Sequence, residues 1–204
     1  MKNKPAAYVA LSLFAIEVIL AFTSWLLSAS LVDCGIRSML GSEGIRWFLG
    51  HYVDFLNTQL LVWLVLLAVA YGCCRDSGIC NLFVVRRPLQ YRQRIALCFA
   101  IVVLVVYVAT ILALTIIPHA VLLSVTGQLF PSPFSASLVP ILSFGVCLLS
   151  IVYGSVSGTF SSVSDVYHSL FKGIETAAPL FFIYILLIQI YYSVMFIFMK
   201  NPNF

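Results

Sequence analysis

The run IALCFAIVVLVVYVATILALTII at residues 95–117 decides the fold. It holds no charged side chain, and as one helix it is long enough to cross the roughly 30 Å hydrocarbon core of a bilayer. Lipid offers no partner to backbone N–H and C=O groups, so a segment of this kind must bond within itself, which a helix does. Working outward, similar apolar segments occupy approximately 6–29, 56–74, 138–156 and 178–199. The sequence therefore predicts an all-α fold: a polytopic transmembrane helix bundle of about five spans, in a single membrane domain over residues 1–204.

Composition points the same way. Of 204 residues 62% are hydrophobic and 9% charged, against about 25% charged in ordinary globular chains, and the mean hydropathy is +1.09. Water could not solvate such a surface, so the lipid bilayer is the expected partner of most of it. The first apolar segment follows Lys2 and Lys4 and ends at the small triplet Ser28-Ala29-Ser30, as a secretory signal does. It is longer than the roughly 7–15 residues of a signal core and contains Glu17, so it reads as an uncleaved helix.

Topology follows from the basic residues. Arg75, Arg86, Arg87, Arg92 and Arg94 crowd the connection between the second and third spans, Lys172 follows the fourth, and 118–137 has no Lys, Arg, Asp or Glu. The positive-inside rule then places the N-terminus in the cytoplasm and the C-terminus outside. Arg37 and Arg46 fall on the outer side in the company of Asp33, Glu43 and Asp54. Trp25, Trp47 and Trp63 are expected at headgroup depth. Between the first two spans, Ser42-Glu43-Gly44 is expected to cap a short helix over 42–55, with Ile45, Phe48, Leu49, Tyr52 and Phe55 turned to the outer interface.

One ionisable group falls inside a predicted span. Glu17 lies near the middle of 6–29, where a charged carboxylate is costly and usually faces a partner or a water-filled path. Two readings stay open: a residue of a substrate or ion path, and a protonated Glu bonded to a polar group of a neighbouring helix. Cys73, Cys74 and Cys80 cluster at the expected cytoplasmic end of the second span without a fourth Cys or nearby His, which does not make a zinc set. Acylation of Cys73 or Cys74 beside the membrane is a further reading. Cys98 and Cys147 sit inside spans as small apolar groups, and Cys34 is alone on the outer side. His51, His119 and His168 are scattered, and Ser155 to Ser164 contain no G-x-S-x-G elbow. Catalytic residues, metal and cofactor are thus not expected, nor is enzyme activity. The basic run 86–94 favours anionic lipid over nucleic acid because of its place at the membrane.

Two stretches carry a resemblance. The first is Ser38-Met39-Leu40-Gly41-Ser42-Glu43-Gly44-Ile45-Arg46-Trp47-Phe48, continuing through Asp54 and Asn57 to Ser77-Gly78-Ile79. The second begins at Ser132-Pro133-Phe134 and Val139-Pro140. It continues through Val152-Tyr153-Gly154, Gly158-Thr159 and Asp165-Val166 to Ala178-Pro179 and Gln189. Together they resemble the AbgT family, the p-aminobenzoyl-glutamate transporters among bacterial secondary transporters. The first looks like the family's E-G-[IL]-x-W-[FM] phrase before its second span, and the second like a later membrane segment. Read as chemistry, Pro140 and Pro179 suit span starts and Gly154 and Gly158 suit a chain turn.

The resemblance implies transport of a small organic acid, coupled to Na⁺ or H⁺, at a site of re-entrant hairpins and broken helices near the midplane. Family members are much longer, span 95–117 matches none of these phrases, and Ser193-Val194-Met195-Phe196 stands where the family has an Asn-Trp phrase. No substrate residue carries over, and the chain reads as a shortened member lacking the hairpins. A homo-oligomer that supplies the missing parts is one expectation. The alternative is a transport-inactive relative that acts as an accessory or assembly partner of another membrane protein.

Overall fold

A computed structural model describes residues 4–30, 37–80, 90–116 and 133–198. The fold is all-helical: α1 (Lys4–Ser30), α2 (Ser42–Leu56), α3 (Gln59–Ser77), α4 (Tyr91–Ile116), α5 (Pro133–Ser157) and α6 (Val163–Phe198). Among the described residues five helices, all but α2, are long and apolar enough to cross a membrane. Each contains the centre of one predicted segment, because an apolar run of that length leaves the backbone no other way to bond in lipid. Arg86, Arg87, Cys34, His119 and most of the uncharged connection 118–137 lie outside the described residues.

The largest departure is α6. The sequence predicts a span over 178–199 preceded by a connection, whereas one helix of 36 residues begins at Val163 and runs through Pro179. Its start is fixed by polar groups that a hydropathy reading passes over. The Asp165 carboxylate accepts hydrogen bonds from the Ser161 N–H at 2.9 Å, the Ser161 hydroxyl at 2.7 Å and the Ser162 N–H at 3.0 Å, while the Asp165 N–H reaches back to Ser162 Oγ. This is a capping box. Pro179 removes one N–H from the ladder, a loss one side of a long helix absorbs when its flanking turns are bonded. Pro140 likewise lies inside α5, which starts at Pro133, where the missing N–H costs nothing.

The chain divides into two compact units, Met1–Val62 with Ala178–Phe204, and Trp63–Ala177. In the first, the turn after α1 is pinned by Ser24, which is 1% exposed. Its hydroxyl donates to the Arg37 carbonyl at 3.1 Å and accepts the Met39 N–H at 2.9 Å. Met39, Phe196 and Ile197 form the core, with Leu20, Ala21, Trp47 and Phe48 packed on it. Trp47 is held by aromatic contacts within this unit. Its ring stacks on Phe196 at 4.3 Å and tilts against Phe55 at 4.9 Å, and Phe55 stacks on Tyr192 at 4.5 Å.

Consequently α2 has two apolar faces. Gly44, Trp47 and Phe55 turn toward the unit's core, and Ile45, Leu49 and Val53 are exposed. Its N-cap is Gly41, without the side-chain cap bond expected from Ser42-Glu43-Gly44, and the Gly41 carbonyl accepts the first helical bond from the Ile45 N–H at 3.0 Å.

In the second unit Ala96, Ala100 and Tyr153 form the core. The Tyr107 hydroxyl donates to the Ile141 carbonyl at 2.8 Å and ties α4 to α5. Where α3 crosses the first half of α6, a Cβ on Gly173 would collide with the Ala68 carbonyl, and one on Gly72 with the Gly173 backbone, so the two helices meet backbone to backbone. Beside that crossing Lys172 Nζ bonds Asp76 Oδ1 at 3.0 Å. Helix α5 ends at Gly158, whose φ of +84° suits glycine, with the Thr159 N–H returning to the Gly154 carbonyl at 2.9 Å. Thr159 Oγ1 then donates to the Ser77 carbonyl at 3.2 Å.

Candidate functional site

Glu17 is the site residue that the sequence singles out, and it belongs to the first unit. Neighbours three and four residues away on a helix share its face, so α1 presents Phe14, Glu17 and Ala21 together, with Val18 beside them. They line a cavity of about 370 Å³ completed by Met39 and Leu40 of the turn, Ile45, Phe48 and Leu49 of α2, and Leu186 and Gln189 of α6. Every lining side chain except Glu17 and Gln189 is apolar. The cavity owes its shape to the contacts already described, because the Ser24 bonds hold Met39 and Leu40 and the Trp47–Phe196 stack holds α2 against α6. A hydrogen bond between Thr58 Oγ1 and the Tyr184 hydroxyl fastens the start of α3 to α6 in the same unit.

Glu17 Oε1 is buried and has no hydrogen-bond partner. The carboxyl group thus sits against hydrocarbon with an amide in the same cavity. Gln189 was reached in the sequence only through a phrase shared with a family, and nothing in the spacing of 17 and 189 predicts that they line one cavity. Chemically, a lone carboxyl and an amide can hold a proton, accept from an N–H or O–H, and donate one N–H pair to an anion. Among the described residues no group of three or more His, Cys, Asp or Glu gathers in a way that could hold a metal ion.

The cysteines are arranged differently from the sequence reading. Cys74 and Cys80 are paired as a disulfide across the turn at Gly78, and Cys73 is fully buried with its Sγ 3.5 Å from Ser169 Oγ. Neither Cys73 nor Cys74 presents a free thiol at the surface, which removes the acylation reading. The signal that would have found the pair is the turn residue Gly78 between two cysteines six positions apart. His51 Nδ1 lies 3.1 Å from the Trp47 carbonyl of its own helix, and His168 packs edge-on to Tyr167, so both serve local structure.

Asp165 is held below the usual carboxylate range, first by the Ser161 hydroxyl and then by the Ser161 and Ser162 N–H groups. It lies in the first turn of α6, ahead of the apolar stretch that begins at Ala178. Its role is that of a cap.

A family model described as the AbgT putative transporter family matches residues 82–200, more than half of the chain. The matched range contains α4, which carries none of the quoted phrases, as well as α5, α6 and Gln189; the phrase at 38–48 and Glu17 lie outside it. No curated protein and no solved structure matches the chain.

Proposed function

Because the chain belongs to the AbgT transporter family, we propose that this multi-pass membrane protein moves a small organic acid of the p-aminobenzoyl-glutamate type across the membrane, driven by H⁺ or Na⁺, with Glu17 in the path. The observation that carries this reading is the buried, unpartnered Glu17 Oε1 facing a cavity that also holds Gln189. A carboxylate against hydrocarbon is unfavourable unless it is neutralised or paired. Taking up a proton or a cation from one side removes that penalty, and giving it up restores it, so occupancy of the site changes the energy of the surrounding helices. The Gln189 amide supplies a donor for the acid group of the solute.

We place residues 1–204 in one membrane domain of a bacterial inner membrane, N-terminus inside. Support comes from the second unit, where Arg75 ends α3, Arg92 and Arg94 start α4, and Lys172 pairs with Asp76. A Cβ at Gly158 would lie 3.0 Å from the Arg92 guanidinium, so the end of α5 joins the same basic cluster.

The test is uptake of radiolabelled p-aminobenzoyl-glutamate into proteoliposomes of purified protein, with imposed proton and Na⁺ gradients, beside Glu17→Gln. The reading expects gradient-driven uptake that the substitution abolishes. Absence of uptake under every gradient overturns it in favour of an accessory protein that docks to another membrane protein. Full uptake by Glu17→Gln keeps transport and removes Glu17 from the path. Self-association, the expectation tied to transport, would appear as a homo-oligomer in the same preparation.

A further inference from the structure

Cys74 and Cys80, six positions apart, close a small disulfide ring at the end of α3. The other three helices of the second unit are fastened to that ring. Asp76 bonds Lys172 of α6, the Ser77 carbonyl accepts from Thr159 Oγ1 in the turn between α5 and α6, and Ile79 packs on the Ala96, Ala100 and Tyr153 core of α4 and α5. The ring also bonds within itself. The Ser77 hydroxyl, 1% exposed as a residue, donates to the Cys74 carbonyl at 3.0 Å and accepts the Ile79 N–H at 3.4 Å, while Gly78 takes a φ of +82°.

The place of this ring bears on how long its bond lasts. Cys74 and Cys80 are part-exposed, unlike the fully buried Cys73. Arg75, exposed within the ring, belongs to the basic cluster that marks the cytoplasmic end in the topology proposed above. The inference rests on that topology and not on transport. In the cytoplasm glutathione and dithiol proteins keep thiols reduced, and disulfides that do form there are usually transient, catalytic or redox-sensing.

We propose that Cys74 and Cys80 form a reversible redox clasp, opened by cytoplasmic thiols and closed by their disulfides, that sets how firmly the end of α3 holds α4, α5 and α6. In opening, a thiolate attacks one sulfur of the pair and forms a mixed disulfide, and a second thiolate resolves it. Two electrons pass to the pair, Cys74 and Cys80 each gain a proton, and the reductant leaves as its own disulfide. The opened ring gains backbone freedom that closure denies it. Ser77 and Ile79 then hold their partners less tightly.

Inside-out and right-side-out membrane vesicles are equilibrated with glutathione and glutathione disulfide, neither of which crosses the bilayer, at ratios that bracket the cytoplasmic one. Differential alkylation with peptide mass spectrometry gives the oxidised fraction at Cys74 and Cys80. Hydrogen exchange is followed on purified protein in nanodiscs at the same ratios. The pair should pass from disulfide to dithiol across the series in inside-out vesicles and should not respond in right-side-out ones. The Thr159 and Phe160 amides, bonded to the Gly154 carbonyl on a different element, should exchange about fivefold faster once the pair opens, the worth of one hydrogen bond. Cys80→Ser should show the fast rate at every ratio, and Cys98→Ser should follow the unsubstituted protein. A pair that stays oxidised, or stays reduced, at every ratio in both vesicle types overturns the clasp and leaves the topology standing. A response confined to right-side-out vesicles overturns both. An opened pair with unchanged exchange at Thr159 and Phe160 overturns its hold on the other helices.

Discussion

Single residues set the limits of this fold where backbones touch. Gly173 packs against the Ala68 carbonyl and the backbone of Gly72 with no space for a methyl group. Gly173→Ala should therefore destabilise the protein by about 1–3 kcal/mol, read as a lower Tm in detergent; an unchanged Tm would mean that the crossing relaxes freely. Ser24 acts through two hydrogen bonds to the turn after α1. Its replacement by Ala leaves the Met39 N–H without its acceptor, at a cost of about 1–3 kcal/mol, while Ser24→Thr retains the hydroxyl and should lose less. Glu17 was legible in the sequence because a single carboxyl in an apolar run stands out. That it shares a cavity with Gln189 was not, since that depends on how α1 and α6 pack within the first unit. The Cys74–Cys80 pair escaped notice because zinc-ligand spacing, rather than the Gly78 turn, framed the reading of those cysteines.

At the scale of elements, apolar runs long enough to cross a bilayer were enough to find the five long helices among the described residues, and boundaries failed where polar side chains set them. Helix α6 begins 15 residues before its predicted span because Ser161, Ser162 and Asp165 cap it, a local signal that hydropathy averages away. Asp165 is bonded as a carboxylate, so its folded pKa lies below its unfolded value. That contribution is complete above the unfolded carboxylate pKa, about 3.9, and is lost as pH falls through the lower folded value. Hydrogen exchange at the first turn of α6, corrected for intrinsic rates, should thus accelerate in acid, and Asp165→Asn should show faster exchange already at neutral pH. Loss of protection in acid that is the same in both proteins would assign the start of α6 to something other than this cap. For α2, Trp47 holds one face in the core of the first unit. Trp47→Ala should cost about 3–5 kcal/mol, measured as a Tm loss much larger than that of Leu49→Ala, since Leu49 is 70% exposed.

For the whole molecule, membership of the AbgT transporter family and, among the described residues, five helices long and apolar enough to cross a membrane make transport the activity to test. The claim that Glu17 lies in the ion path is tested most directly from the ion's side, since coupling between a solute and its driving ion is reciprocal. Proteoliposomes loaded with a pH-sensitive dye, in Na⁺-free buffer and with no imposed gradient, receive p-aminobenzoyl-glutamate outside, and internal pH is followed. The same vesicles loaded with a Na⁺-sensitive dye are followed after the solute is added in buffer with equal Na⁺ inside and out. The account predicts a solute-dependent movement of one of these ions that is absent in Glu17→Gln vesicles. Solute uptake without movement of either ion, or ion movement equal in the two proteins, would contradict it.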